Sequence, residues 1–506
     1  MGRMSAQPCR TRIASLALLV WLVGVLSAAA QVERSAELAA RAKDAMAAGR
    51  FEQAATIYEE ILRAYPNEAG LHMNLGMARA MADQPGAALP ALKRAVELDP
   101  SLVPAQLFLG TVYLDLEEPR SAVAPLEKVV GADPSNTQAV HALGEALLLL
   151  ERFDEAAQRF EQLTDATPDS PRAWAGLGRS YEGDARRSFG ELQEVTPDSP
   201  YVSLIVAEVL VADGKLPQAF TLYREAQAAL PKLPGIHEAI ADVYDEAGHA
   251  DWAATERRRA RETAPDCTRE SAACAFLKED FERTARLTTR PRTAEAWYWR
   301  TRALNQLARR AFARLERLPR SVELHAVRAR VAQDQKRPLE AVKELRAALE
   351  LAPNEPGLER ELASALYLAR DHQAMLPIAE KLLAKAPDAP DLLFLYGGAL
   401  LETQQVDRAV PHLKRAVAAD ASLIEARAAL GRAFMLKGDA AAAIPHLEAA
   451  LSTDQDGSLY YQLAQAYQRT DRPAQARAAL EKYQAIKRQV DQESGPGTSA
   501  PKITPP

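Results

Sequence analysis

Gly176, Gly178 and Gly183 give this 506-residue chain its nearest approach to a glycine-rich phosphate loop. Such a loop needs a strand before it and a fixed glycine spacing at the start of a helix. Neither surrounds these three. The eight histidines are scattered. His412 and His446 stand in matching contexts, Pro411-His-Leu413 and Pro445-His-Leu447, which marks a duplicated segment rather than a metal pair. No Cys-x-x-Cys or His-x-x-x-His spacing offers zinc its ligands. No phosphate-loop lysine motif and no Gly-x-Ser-x-Gly elbow occur. These residues imply no catalytic constellation, no cofactor and no metal.

What the residues do show is periodicity. Between 69 and 136 one pattern is written twice, 34 residues apart. The first copy carries Leu75, Gly76, Ala88, Leu92, Ala95 and Pro100. The second carries Leu109, Gly110, Tyr113, Ala122, Leu126, Val129 and Pro134. Each opens with an apolar stripe of helical spacing. A short polar break follows (Asp83 to Gly86, then Glu117 to Arg120), then a second helical stripe that a proline ends. A lone two-helix hairpin cannot bury both stripes, so copies must stack.

The spacing resembles the tetratricopeptide repeat (TPR) family. That signature has a large residue at place 4 of the repeat, Leu-Gly at 7 and 8, Tyr at 11, Ala at 20, an aromatic at 24, Ala at 27 and Pro at 32. The resemblance implies an all-α solenoid, a right-handed superhelix of antiparallel helix pairs, that binds rather than catalyses. The pattern starts at 35–68 (Gly49, Phe51, Ala54, Tyr58, Pro66) and is clearest at 69–102, 103–136 and 137–170. A fifth repeat begins with Trp174, Leu177, Gly178 and Tyr181, but Pro197 comes five places early. Its second helix, near Arg186 to Val195, is expected to be short. The pattern resumes at 200–233 and 234–267, and again from 322 to 490 in five further copies.

Residues 268–321 break the period. A Trp297-Tyr298-Trp299 knot opens a long helical stretch from Ala294 to Leu318 without the mid-repeat turn. One or two helices inserted in the solenoid are expected here, buried against their neighbours. The end, 491–506, is rich in small and proline residues and reads as a disordered tail.

Arg3, Arg10 and Arg12 precede an apolar run from Ile13 to Leu26, and Ser27-Ala28-Ala29-Ala30 follows. This reads as a secretory signal peptide cleaved after Ala30, with an uncleaved N-terminal membrane anchor as the rival reading. Export would place the protein in a periplasm or cell envelope, and the mature chain would keep only Cys267 and Cys274. An even count in an oxidising compartment favours a disulfide over two thiols. The formal net charge is −6, and 59 basic residues face 68 acidic ones once residues 1–30 are set aside. That balance gives no drive toward nucleic acid.

In the family, places 2, 5, 9 and 12 face the concave surface, and a known subset grips a C-terminal carboxylate with Lys and Asn at places 5 and 9. Here those places hold Met73 and Met77, Leu107 and Thr111, then His141 and Glu145, so that clamp is absent. Met73, Met77 and Met81 form an i, i+4, i+8 stripe that is either core or a soft apolar contact surface. Further on the facing places turn acidic, with Glu208, Glu238, Asp242 and Asp245. From Arg283 to Arg337 fifteen Arg and Lys, Arg300 and Arg302 among them, face four acids. This stretch is either a solvated, internally paired face or a docking site for an acidic protein or anionic polysaccharide. The expected function is a protein- or peptide-binding scaffold in envelope assembly or secretion, with glycan binding as the alternative.

Overall fold

A computed structural model describes residues 33–262, 264–265, 267, 271–353, 355–494 and 502–506. The signal-peptide segment lies outside them, as do 495–501. Every regular element among the described residues is helical. The chain forms two compact units: one runs to Glu191 and takes in Arg300–Phe312, and the other comprises Leu192–Trp299 and Ala313–Pro506.

In the first unit, helix pairs follow the 34-residue period. Residues 33–47 pair with Phe51–Ala64, Ala69–Met81 with Pro85–Leu98, Val103–Asp115 with Pro119–Ala132, and Thr137–Leu149 with Phe153–Ala166. The second unit repeats the motif in Pro200–Ala212 with Leu216–Ala229 and in Ile236–Glu246 with Ala250–Glu262. It does so again from Val322–Asp334 with Pro338–Leu351 through to Ser458–Arg469 with Pro473–Ser494. Proline opens many of these helices, where its missing N–H costs nothing and its fixed φ already suits the helix.

Three recurring devices build each pair. Place 15, between the helices, takes a left-handed backbone: Gly49, Asp83, Glu117 and Glu151 in the first unit, Lys336, Arg370, Gln404 and Gly438 in the second. A side chain there costs roughly 1–2 kcal/mol. Gln404, exposed at φ 63°, is one such strained turn. Gln404→Gly should stabilise the protein by about 0.5–1 kcal/mol despite the entropy glycine adds to the unfolded chain. Differential scanning calorimetry checks this, and an unchanged or lower melting temperature would contradict it.

Place 8 lies under the place-24 side chain of its own repeat. A methyl group on Gly144 would sit 2.8 Å from Phe160 Cζ, and one on Gly431 2.8 Å from Leu447 Cγ. Only a residue without Cβ lets the two helices meet so closely. At three junctions a polar place 4 joins successive repeats. Gln106 Nε2 donates to the Pro100 carbonyl at 3.0 Å, Trp174 Nε1 to that of Pro168 at 2.7 Å, and Arg427 Nε to that of Ala421 at 2.9 Å.

Two place-11 tyrosines reach back to a glutamate at place 25 of the repeat before. Tyr181 donates to Glu161 at 2.5 Å, and Tyr467 donates to Glu448. Burial, reinforced by the Glu448 carboxylate, pushes the Tyr467 hydroxyl up to about 12. The folded protein therefore keeps a proton that the unfolded chain releases from about pH 10. This contribution to stability is complete below pH 10 and is lost as pH rises toward 12. Absorbance titration at 295 nm should show late tyrosines, Tyr201 among them, and Tyr467→Phe should reduce their number by one. An unaltered titration curve in that variant would refute the assignment.

The fifth repeat corrects the expectation of a shortened second helix. Pro171–Val195 is one continuous 25-residue helix. Its place 15 is Ala185, 2% exposed and helical, so no residue there turns the chain back. The irregular stretch is also richer than expected. Short helices Ala272–Leu277 and Phe281–Leu287 form a miniature pair around Glu279, itself at φ 59°. The 23-residue helix Ala294–Glu316 follows. Its start lies in the second unit, where Tyr298 and Trp299 are buried, 5.2 Å from Tyr201 and 5.3 Å from Phe276 respectively. Cys267 is bonded to Cys274, with Cα atoms 5.7 Å apart. Residues 491–494, read as the start of the tail, belong to the last helix, and residues 502–506 have a defined seat.

Candidate partner-binding surface

Within each unit the first helices of neighbouring repeats touch: Ala69–Met81 meets Val103–Asp115, and Pro356–Leu368 meets Pro390–Glu402. They form a continuous layer whose outward side is the surface on which a partner can lie. Met73 and Met77 are half-buried in this layer, and Met81 at the helix end is 50% exposed. Leu107 on the next first helix is half-buried as well. Flexible thioethers beside leucine make an apolar, adaptable strip. Sequence reasoning missed Leu149, 57% exposed at the same place in its repeat as Met81. Its signal was recurrence at place 13, which Leu368 and Leu436, 61% and 66% exposed, repeat in the second unit.

His141 lines a cleft of about 250 Å³ with Thr137, Thr167 and Arg172, and its ring meets Phe160 edge-on at 6.0 Å. Glu145, one turn on, accepts from Arg179 at 3.1 Å. In the second unit Glu208 is half-buried. Glu238, Asp242 and Asp245 share one face of Ile236–Glu246 and all reach Arg257, at 3.5, 3.1 and 2.7 Å. That acidic group is thus partly neutralised by its own hairpin. A groove of about 500 Å³, lined by Tyr367, Arg370, His372, Glu402 and Arg432, opens nearer the end of the array.

Arg300 does not belong to this surface. It is 3% exposed and donates to Asp184, 2% exposed, and to Asp154 at 2.7 Å. The unbroken Ala294–Glu316 helix turns this side chain inward, against the equally unbroken Pro171–Val195 helix. Arg302 is half-buried on the same helix. Elsewhere in the basic stretch, Arg328 pairs with Glu316 and Arg337 with Glu340. Internal pairing therefore takes up several of these charges.

The glycine group has a packing role throughout. Gly176 lies under Phe160, Gly178 under Phe312 and Gly183 under Phe153. His412 meets Tyr396 edge-on and His446 stacks against Phe434, and burial lowers both below the ordinary histidine value, which keeps the rings neutral. Among the described residues no cluster of His, Cys, Asp or Glu is placed to hold a metal ion, and no helix is long and apolar enough to cross a membrane.

Stacked antiparallel helix pairs with small residues at the crossings define an α-solenoid, a class built to display a surface. Models described as tetratricopeptide repeat match residues 39–103, 114–179, 183–234, 360–424 and 457–490. The chain belongs to the tetratricopeptide repeat family. Comparison with curated protein sequences finds no match. Among solved structures it is similar to a tetratricopeptide repeat protein from Parabacteroides merdae, at 13% identity over 66% of this chain and 98% of that one, TM-score 0.32. It is also similar to MamA from Desulfovibrio magneticus, at 22% identity over 34% of this chain and 97% of that one, TM-score 0.30. A third is the Cut9-Hcn1 assembly of the APC/C, at 14% identity over 91% and 95% of the two chains, TM-score 0.33. These likenesses reach no further than the fold.

Proposed function

We propose that this protein is an exported scaffold that binds an apolar peptide or helix face along the first-helix layer of its first unit, in assembly or secretion of envelope components. The strip formed by Met73, Met77, Met81 and Leu107 carries this reading. It is apolar, partly exposed and shared between adjacent repeats. The basic, apolar and small-residue order of residues 1–30 supports export. The bonded Cys267 and Cys274 are in keeping with an oxidising compartment.

The test is recovery of partners from an envelope extract by the native protein and by a variant with Met73, Met77 and Met81 all changed to Glu. The native protein should retain its partners between low and moderate salt, and the variant should lose them. If the variant recovers the same partners, the apolar strip is not the contact. Binding that instead weakens steeply with salt would favour the alternative, an anionic polysaccharide held by basic residues of 283–337.

A further inference from the structure

Tyr244 is a place-11 tyrosine without the glutamate partner that Tyr181 and Tyr467 have. It is wholly buried, with the Phe220 and Trp252 rings 5.4 and 5.5 Å away. Tyr181 and Tyr467 each donate to a glutamate at place 25 of the preceding repeat. Before Tyr244 that place is Arg224, a side chain with no acceptor. A buried hydroxyl left without an acceptor would cost stability. Here it donates to the main-chain carbonyl of Thr504, 2.7 Å away and 260 residues further along. Ile503 and Pro506, on either side of that carbonyl, are half-buried, while Lys502, Thr504 and Pro505 are exposed.

We propose that the Tyr244 hydroxyl is the anchor of a peptide-docking site and that residues 502–506, Lys-Ile-Thr-Pro-Pro, are its occupant. The chemistry is that of other proline-bearing ligands. A segment whose prolines limit its freedom loses little entropy on docking, aromatic rings stand near the anchor, and a single donor fixes the main chain. Burial raises the Tyr244 hydroxyl above its ordinary value, so it stays protonated and able to donate. A carbonyl carries no side-chain identity, so the anchor selects a backbone shape, and specificity falls to the half-buried side chains of Ile503 and Pro506. Tethering makes the docking intramolecular and raises its effective concentration without further contacts. The site lies in the second unit and is independent of the Met73–Met81 strip.

Trypsin tests this in the full chain, because Lys502 precedes Ile503. A docked segment presents that bond poorly to a protease. The product beginning at Ile503, followed by mass spectrometry, should appear at least tenfold more slowly from the folded protein than from a synthetic peptide of residues 498–506. Tyr244→Phe should speed its release about fivefold with an unchanged helical circular dichroism signal. Pro506→Asp leaves the solenoid untouched and should do the same, and it decides the matter if Tyr244→Phe fails to fold. Release from the native chain at the free-peptide rate, or no acceleration in Pro506→Asp, would overturn the proposal.

Discussion

Arg300→Ala is expected to destabilise the first unit by about 1.5–3 kcal/mol, because it removes one of two cations from the buried Asp184 carboxylate and leaves it to Arg187, 2.6 Å away and 40% exposed. Both side chains are at most 3% exposed, and the pair joins helices 116 residues apart in sequence. Burial pushes the Asp184 carboxyl up, and the Arg300 and Arg187 guanidinium groups pull the other way. Removing the arginine lets the carboxyl rise further. A group raised in the folded state favours folding below its unfolded value and loses that contribution as pH rises. The Arg300→Ala deficit should therefore be smaller near pH 4 than near pH 8. Replacing both partners, Arg300→Met with Asp184→Leu, should recover most of the loss, since apolar isosteres remove the desolvation cost. Calorimetric unfolding at the two pH values checks each statement. An equal deficit at both would mean that Asp184 is not the group responsible.

The second large effect concerns Phe160. It is fully buried and lies against both Gly144 and Gly176. Phe160→Ala should cost about 3–5 kcal/mol. The more telling comparison is a pair. Where place 24 is leucine, place 6 of the following repeat carries a side chain: Phe108 after Leu92, Ala142 after Leu126 and Ala429 after Leu413. Only the larger Phe160 is followed by glycine among these four junctions, Gly176. Gly176→Ala alone drives a methyl into the ring and should cost about 1–3 kcal/mol. Phe160→Leu makes room, so the double variant should be more stable than the sum of the singles by about 1 kcal/mol. Strict additivity in calorimetric stabilities would show that the two residues do not share this space.

The fold was largely legible because each helix pair is too small to stand alone and writes its packing into a fixed period. Leu92 over Gly76 and Leu126 over Gly110 were visible as spacings before any contact was known. The Pro171–Val195 helix was misread because its departure is a missing signal, a helical Ala185 where a turn residue stands elsewhere. The pair Ala272–Leu277 and Phe281–Leu287 escaped because six or seven residues hold too little of a helical period. Arg300 was assigned to the surface because charge composition carries no information on burial. Its partners Asp154 and Asp184 lie 146 and 116 residues earlier. The seat of residues 502–506 was hidden for a related reason. A main-chain carbonyl accepted by Tyr244 leaves no trace in the composition of either segment.

Site-specific photo-crosslinking in cells distinguishes the first-helix layer from the second-helix layer. A benzoyl-phenylalanine would replace Met77 or Leu107 on the first helices, and Lys93 or Lys128 on the second helices of the same repeats. Binding along the first-helix layer predicts adducts to a common partner from Met77 and Leu107 and none from Lys93 or Lys128. Adducts from the second-helix positions alone would contradict it.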